Sequence, residues 1–179
     1  MAAAVVFLCS PGKVRGLSCT FMDVGQGDGI VLRAEPGKTI LVDGGSTSIS
    51  QVGKYRILPF LKYHGISHVD YMIMSHEDED HISGQMELLE AGRQEGISIG
   101  CLLLPEPDNA AVGNGYRKME RLAERARVPC RKLHRGDVLS LGKLQIACLH
   151  PERGFQAESA NAYSTTLDVR YGERSLLLT

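Results

Sequence analysis

Apolar positions along the chain fall in short runs, alternating or continuous, separated by glycines and polar clusters. That is the pattern of strands with helices between them. Residues 17–24 read as a strand, 25–29 (GQGDG) as a turn and 30–34 as a second strand. Residues 35–38 form a hairpin turn, and 39–43 a third strand ending in Asp43-Gly44-Gly45. The chain therefore opens as an antiparallel meander. Residues 57–66 read as a helix with Pro59 in its first turn and Gly65 as its stop. A strand follows at 68–75, then an acidic loop, then a helix at 83–96 with Met86, Leu89 and Leu88 facing inward. Residues 98–105 are a buried strand, and 116–127 a charged helix with Met119, Leu122 and Ala126 inward. Strands at 128–133 and 143–150 and a hairpin over 165–179 complete the chain. Two groups of strands with helices between them predict an α/β (α+β) fold, with a sheet-on-sheet core flanked by helices.

Composition adds limits. At 179 residues, 43% hydrophobic and 23% charged, the chain suits one domain. A net charge of −1 supplies no global field for nucleic acid, so a polyanionic substrate needs a bound metal or a local patch. The cysteines at 9, 19, 101, 130 and 148 are odd in number and include no C-x-x-C pair. They read as small buried residues, not as a disulfide framework or thiolate metal site. The opening MAAAVVFLCS is apolar but lacks a basic start, and it is shorter than the roughly 20 residues of a membrane span. It reads as a first buried strand or as the tail of a membrane helix.

The candidate chemistry lies in SHEDEDHISG, residues 75–84. Four acids stand between two histidines, directly after an apolar strand. Strand ends are common ligand positions because the sheet fixes the base of the loop. In an extended loop alternate residues point the same way, so His76 and Asp78 project together while Glu77 and Glu79 turn away. Asp80 and His81, at the start of the next helix, can turn into the same space. Two divalent cations, about 3.5–4 Å apart in two-metal sites, would neutralise the cluster. One would take His76 and Asp78, the other Asp80 and His81. The competing reading is a solvated acidic loop with Asp80 or Ser83 capping the helix. Flanking histidines and the close backbone approach allowed by Gly84 favour metal. An H-E-x-x-H zinc site would need histidine where Asp80 stands. A calcium loop begun at Asp78 would need glycine and glutamate where Ser83 and Leu89 stand.

His76-x-Asp78-x-Asp80-His81 resembles the H-x-H-x-D-H motif of the metallo-β-lactamase superfamily, with aspartate for the second histidine. DVGQGDGIVLR, ILVDGG and NAYSTTLDVRYGERSLLLT are similar to the C-terminal domain of the ComEC competence family. The resemblance runs from about Leu17 to Thr179. It implies an αββα sandwich with metals at one edge, in a membrane protein of DNA uptake whose domain degrades one strand of incoming DNA. It implies His76, Asp78, Asp80 and His81 as ligands, with Asp78 and Asp80 carrying the catalytic role. Asp28 and Asp43 would border the site, and Asn161 and Ser164 would stand near substrate or metal. Residues 1–16 become the tail of a preceding membrane segment or a linker, and 17–179 the domain, on the extracytoplasmic side of a bacterial cell membrane. The family's bridging aspartate and a further histidine would lie beyond Thr179. The expectation is therefore an incomplete site with weak metal binding and little activity in the chain alone, and activity in a longer parent. Carboxylate at 78 hardens the site, favouring Mn²⁺ over Zn²⁺.

Other residues have humbler readings. Asp43 is either a turn former or an orienting partner for a ligand imidazole. Asp28 alone reads as a turn residue. His150, ending a strand before Pro151, reads as a surface histidine or as one approaching the metals, His64, His68 and His134 as loop or helix-end residues, and Tyr163 as an exposed loop tyrosine or one that stacks on a base. Arg117, Lys118, Arg121, Arg125 and Arg127 form a solvated face pairing with Glu120 and Glu124. A DNA phosphodiesterase acting on single strands leads. The alternatives are a small-molecule hydrolase of the superfamily and a non-catalytic DNA-binding remnant.

Overall fold

The computed structural model describes residues 14–108 and 110–179. The expectation for the apolar opening run lies outside the described residues up to position 13.

Two sheets stack face to face. The first has six strands in spatial order β1 (Leu17–Phe21), β2 (Gly29–Ala34), β3 (Lys38–Asp43), β4 (His68–Ile73), β5 (Ser98–Pro105) and β6 (Cys130–Leu133). The second has four, in order β10 (Arg174–Leu178), β9 (Thr166–Tyr171), β8 (Leu144–His150) and β7 (Val138–Leu141). The first three strands form the expected antiparallel meander; β3 to β6 are parallel. The second sheet is antiparallel throughout. The β7 strand, absent from the sequence reading, is a hairpin arm to β8 across Gly142, which takes the left-handed φ of 65° that this turn requires. Its four residues are too short to stand out as a run.

The helices α1 (Leu58–Tyr63), α2 (Glu79–Ala91) and α3 (Asn114–Ala126) cover one face of the first sheet. A π-helical turn, Gly53–Ile57, leads into α1. Val31, Leu41, Met72, Leu102 and Leu104 pack against Leu61, Ile82, Leu88, Met119 and Leu122 of the helices. The opposite face carries Ile30, Leu32, Ile40, Val42, Ile73 and Leu103, which meet Ile146, Cys148, Leu167 and Val169 of the second sheet. This sandwiching explains why β2, β3 and β5 read as nearly continuous apolar runs: both faces are buried. Each fully buried Leu or Ile contributes roughly 1.5–3 kcal/mol of transfer free energy. No helical residue joins the second core cluster, so among the described residues the layers run helix, sheet, sheet.

The parallel strands matter most for placement. Going from β3 to β4 and β5, their C-terminal ends lie side by side: Val42 pairs with Ile73, and Ile73 with Leu103. Loops leaving that edge converge, the usual place for a ligand on a parallel sheet. The helix α2 begins four residues earlier than expected, at Glu79, so the acidic block is split between a short loop and a first helical turn. Acids in the first turn suit the positive end of the helix dipole.

Candidate functional site

Asp43 ends β3 with φ of 54°, a left-handed backbone that Asp tolerates better than most residues. That turn aims its carboxylate along the sheet edge toward the end of β4. Oδ1 accepts the Ser75 N–H at 2.8 Å, and Oδ2 accepts His81 Nδ1–H at 2.9 Å. The side chain is almost fully buried. Asp43 thus both makes the turn and hydrogen-bonds the His81 imidazole. With Nδ1 donating, Nε2 is left on the side of Asp80.

Glycines close the far side of this half. The N–H of Asp28 donates to Asp80 O at 3.0 Å, and the N–H of Gly44 to His81 O at 2.9 Å. A Cβ on Gly27 would meet Asp80 O, and one on Gly45 would meet the Asp80–His81 peptide. Hence the VGQGDG and DGG segments clamp the backbone beneath the acidic block, and only glycine fits there. The Asp28 carboxylate is largely exposed, with Oδ2 3.8 Å from His81 Nδ1.

The expected ligands come together in pairs. His76 Nε2 lies 3.5 Å from Asp78 Oδ2, and His81 Nε2 lies 3.9 Å from Asp80 Oδ2. The two imidazole rings stand 4.0 Å apart, centre to centre. Asp78 is the N-cap residue of α2, yet its side chain makes no capping bond. Among the described residues, no three His, Cys, Asp or Glu side chains are gathered closely enough to hold an ion. What stands ready is two imidazole–carboxylate pairs.

The rings differ electrostatically. Burial disfavours charge on both. For His76 burial wins, reinforced by the neighbouring His81, and its pKa is lowered despite Asp43, Asp78 and Asp80. For His81 burial is outweighed by the Asp43 hydrogen bond and by the charges of Asp43, Asp80 and Asp28, and its pKa is raised.

The second half of the site comes from the second sheet. Thr165 N–H donates to Ser75 O at 2.9 Å, and Thr165 Oγ1 donates to Met74 O at 3.1 Å. Ser164 Oγ lies 3.2 Å from His76 Nδ1, and Ser75 Oγ lies 3.0 Å from the same nitrogen. Asn161 opens a 3₁₀ turn, Asn161–Tyr163, and lines the same cavity. That cavity, about 410 Å³, is bounded by Ser75, His76, His81, His150, Asn161 and Ser164, with Thr166 and Thr179. No lysine or arginine lines it.

Three readings from the sequence are corrected. Glu77 does not turn to solvent. Its carboxylate accepts the N–H groups of Gly113 at 2.5 Å and Tyr116 at 3.0 Å, and the Tyr163 hydroxyl at 2.9 Å. Burial opposes its charge, but the N–H groups of Tyr116 and Gly113, then the Tyr163 hydroxyl, outweigh burial and lower its pKa. Glu79 alone of the two is exposed. Tyr163 is not an exposed loop residue: it is fully buried, and burial followed by its bond to Glu77 pushes its pKa far up. Glu120 bonds Lys132 of β6 at 2.5 Å instead of a base on its own helix.

His150 and Ser75 also line the cavity. His150 Nε2 donates to Ala162 O at 2.9 Å, with its ring edge-on to Phe155 at 4.8 Å. Its signal was its place at the end of a strand, beside a proline. Ser75 gave none beyond adjacency to His76. Cys101 and Cys148 are buried as expected, Cys19 half-buried and Cys130 exposed; all four are free thiols.

The chain is similar to several known proteins. ComE operon protein 3 of Bacillus subtilis (strain 168) is 29% identical over 185 residues, a match covering 96% of this chain and 22% of that protein. The chain thus spans about a fifth of that relative's length. Among solved structures, the metallo-beta-lactamase fold protein YhfI from Bacillus subtilis superposes with a TM-score of 0.56 at 17% identity, covering 92% of this chain and 60% of that one. A motif mutant of the metallo-beta-lactamase from Cronobacter sakazakii gives 0.55 at 15% identity, with the same coverages. CmlA, a diiron beta-hydroxylase from Streptomyces venezuelae, gives 0.54 at 21% identity over 89% of this chain and 29% of that one. These three show the fold alone. The profile of the metallo-beta-lactamase superfamily matches residues 22–118, more than half of the chain and the whole acidic block, and the chain belongs to that superfamily.

Proposed function

We propose that the chain is the metal-dependent phosphodiesterase domain of a DNA-uptake membrane protein, cutting single-stranded DNA on the extracytoplasmic side of a bacterial membrane. The observation that carries this reading is the pairing of His76 with Asp78 and of His81 with Asp80 beside one cavity, with Asp43 behind His81. The match to ComE operon protein 3 supports the biological setting. Among the described residues no helix is long and apolar enough to cross a membrane.

The donor set fits two divalent ions, Mn²⁺ ahead of Zn²⁺, because half of it is carboxylate oxygen. His76 and Asp78 would hold one, and Asp80 and His81 the other. Two protein donors per ion, one fewer than the three of a catalytic zinc site, leave the remaining positions to water and substrate. Bound ions would supply Lewis acidity toward a phosphate and lower the pKa of a bound water.

The chain's own residues set up the rest. Asp43 fixes the tautomer of His81 and holds the ring toward Asp80. The hydroxyls of Ser75 and Ser164 meet Nδ1 of His76 and leave its Nε2 facing Asp78. Asn161 and Ser164 line the cavity as hydrogen-bonding groups for phosphate oxygens. Because no lysine or arginine lines it, attraction of a polyanion falls to the ions. The same feature favours a second reading, a small-molecule hydrolase of the superfamily, since 410 Å³ is the size of an ordinary ligand site.

Calorimetric titration of Mn²⁺ and Zn²⁺ into the chain tests the assignment. Asp78→Ala and Asp80→Ala should each weaken Mn²⁺ binding by about tenfold or more. Unchanged affinity in both would sink the ligand set. Cleavage of a labelled single-stranded oligonucleotide, stopped by chelator, supports the nuclease; turnover of a phosphodiester or lactam chromogen without DNA cleavage supports the second reading.

A further inference from the structure

We infer that Glu77 and Tyr163 are a positioning pair whose hydrogen bond sets Ser164 against His76 across the seam between the two sheets. The inference rests on the reading of His76 as a metal ligand. Four consecutive residues of the β4 edge, Met74 to Glu77, meet Thr165, Ser164 and Tyr163 in reverse order. Thr165 bonds Met74 O and Ser75 O, Ser164 meets the His76 ring, and Tyr163 bonds Glu77. Ser164 is therefore bracketed. Thr165 tethers it on one side and Tyr163 on the other.

The anchor is itself held from a second side. The Glu77 carboxylate also takes the N–H groups of Gly113 and Tyr116 at the start of α3. These are charge-assisted bonds, about twice as strong as neutral ones. The glycines there fit tightly around it: a Cβ on Gly113 would lie 2.8 Å from Glu77 Oε1, and one on Gly115 would lie 2.6 Å from Glu77 O. Tyr163 is fully buried, so its hydroxyl cannot exchange Glu77 for solvent. A residue inside the ligand motif thus serves as the fixed point from which the second sheet is aimed at the first.

Tyr163→Phe in the full chain removes one hydroxyl and keeps the ring. Side-chain ¹⁵N NMR without metal should show the His76 ring nitrogens shifted and those of His81, held by Asp43, unmoved. Mn²⁺ affinity should fall about tenfold, as for other partners that orient a ligand. Glu77→Gln should move the His76 signals the same way, and the double variant should shift them no further than one single change. A lower melting temperature with unchanged His76 signals and Mn²⁺ affinity would show a merely structural bond and overturn the inference. If Tyr163→Phe does not fold, Ser164→Ala decides: it must shift His76 alone, and an unmoved His76 overturns the pair. Should the wild-type chain take up no Mn²⁺, the proposed function fails, while the metal-free His76 signals still judge the pair.

Discussion

The two halves of the site are held by different chemistry. On the side of the first sheet, His81 leans on a buried carboxylate, and that charge raises its pKa against the pull of burial. His76 leans instead on two hydroxyls, Ser164 from the second-sheet side and Ser75 from the end of β4, the latter also 3.3 Å from His81 Nδ1, and burial lowers its pKa. The rings stand 4.0 Å apart, so distance does not explain the contrast. What stands behind each ring does. A carboxylate fixes charge as well as direction; a hydroxyl fixes direction alone.

Breaking the carboxylate side should cost most. Asp43→Ala strands the Ser75 N–H and frees the His81 ring, with an expected loss of about 3 kcal/mol in urea denaturation. Asp43→Asn tolerates the left-handed backbone and should recover part of that, while the pKa of His81, read by NMR titration, falls. If either variant shifts His76 as far as His81, the halves are not independent. Next is Gly45→Ala, which drives a methyl into the Asp80–His81 peptide and should cost about 2 kcal/mol, with the His81 resonances displaced. On the hydroxyl side, Thr165→Val removes the bond to Met74 O and should cost about 1 kcal/mol, read as a lower urea midpoint. The smallest effect belongs to Glu79→Gln. That exposed acid should change stability by less than about 0.5 kcal/mol, in contrast to its buried neighbour Glu77.

The same division decides what could be read from the sequence. The first half was legible because its logic is local and periodic. Apolar runs marked β2, β3 and β4, glycine clusters marked the turns, and alternation along the loop paired His76 with Asp78. The alternation rule then failed at Glu77, one residue away. It describes where an isolated strand points and says nothing of α3, whose N-terminus lies 36 residues on and draws the carboxylate inward. Tyr163 is farther still, 86 residues from its partner. Nothing local distinguishes a buried tyrosine in such a segment from an exposed one. The β7 strand was missed for a related reason: it exists by pairing with β8, not by its own four residues.

The glycine clamp under Asp80 and His81 grips carbonyl oxygens and never a side chain. At Asp80 and His81 the hold on the backbone therefore does not pass through the groups mounted there. Asp78 shows the same freedom, starting a helix without lending its carboxylate to the task. A scaffold of this kind can exchange imidazole for carboxylate at position 78 without being rebuilt. Under the proposed function, metal preference becomes a property that single substitutions retune while the cradle stays as it is.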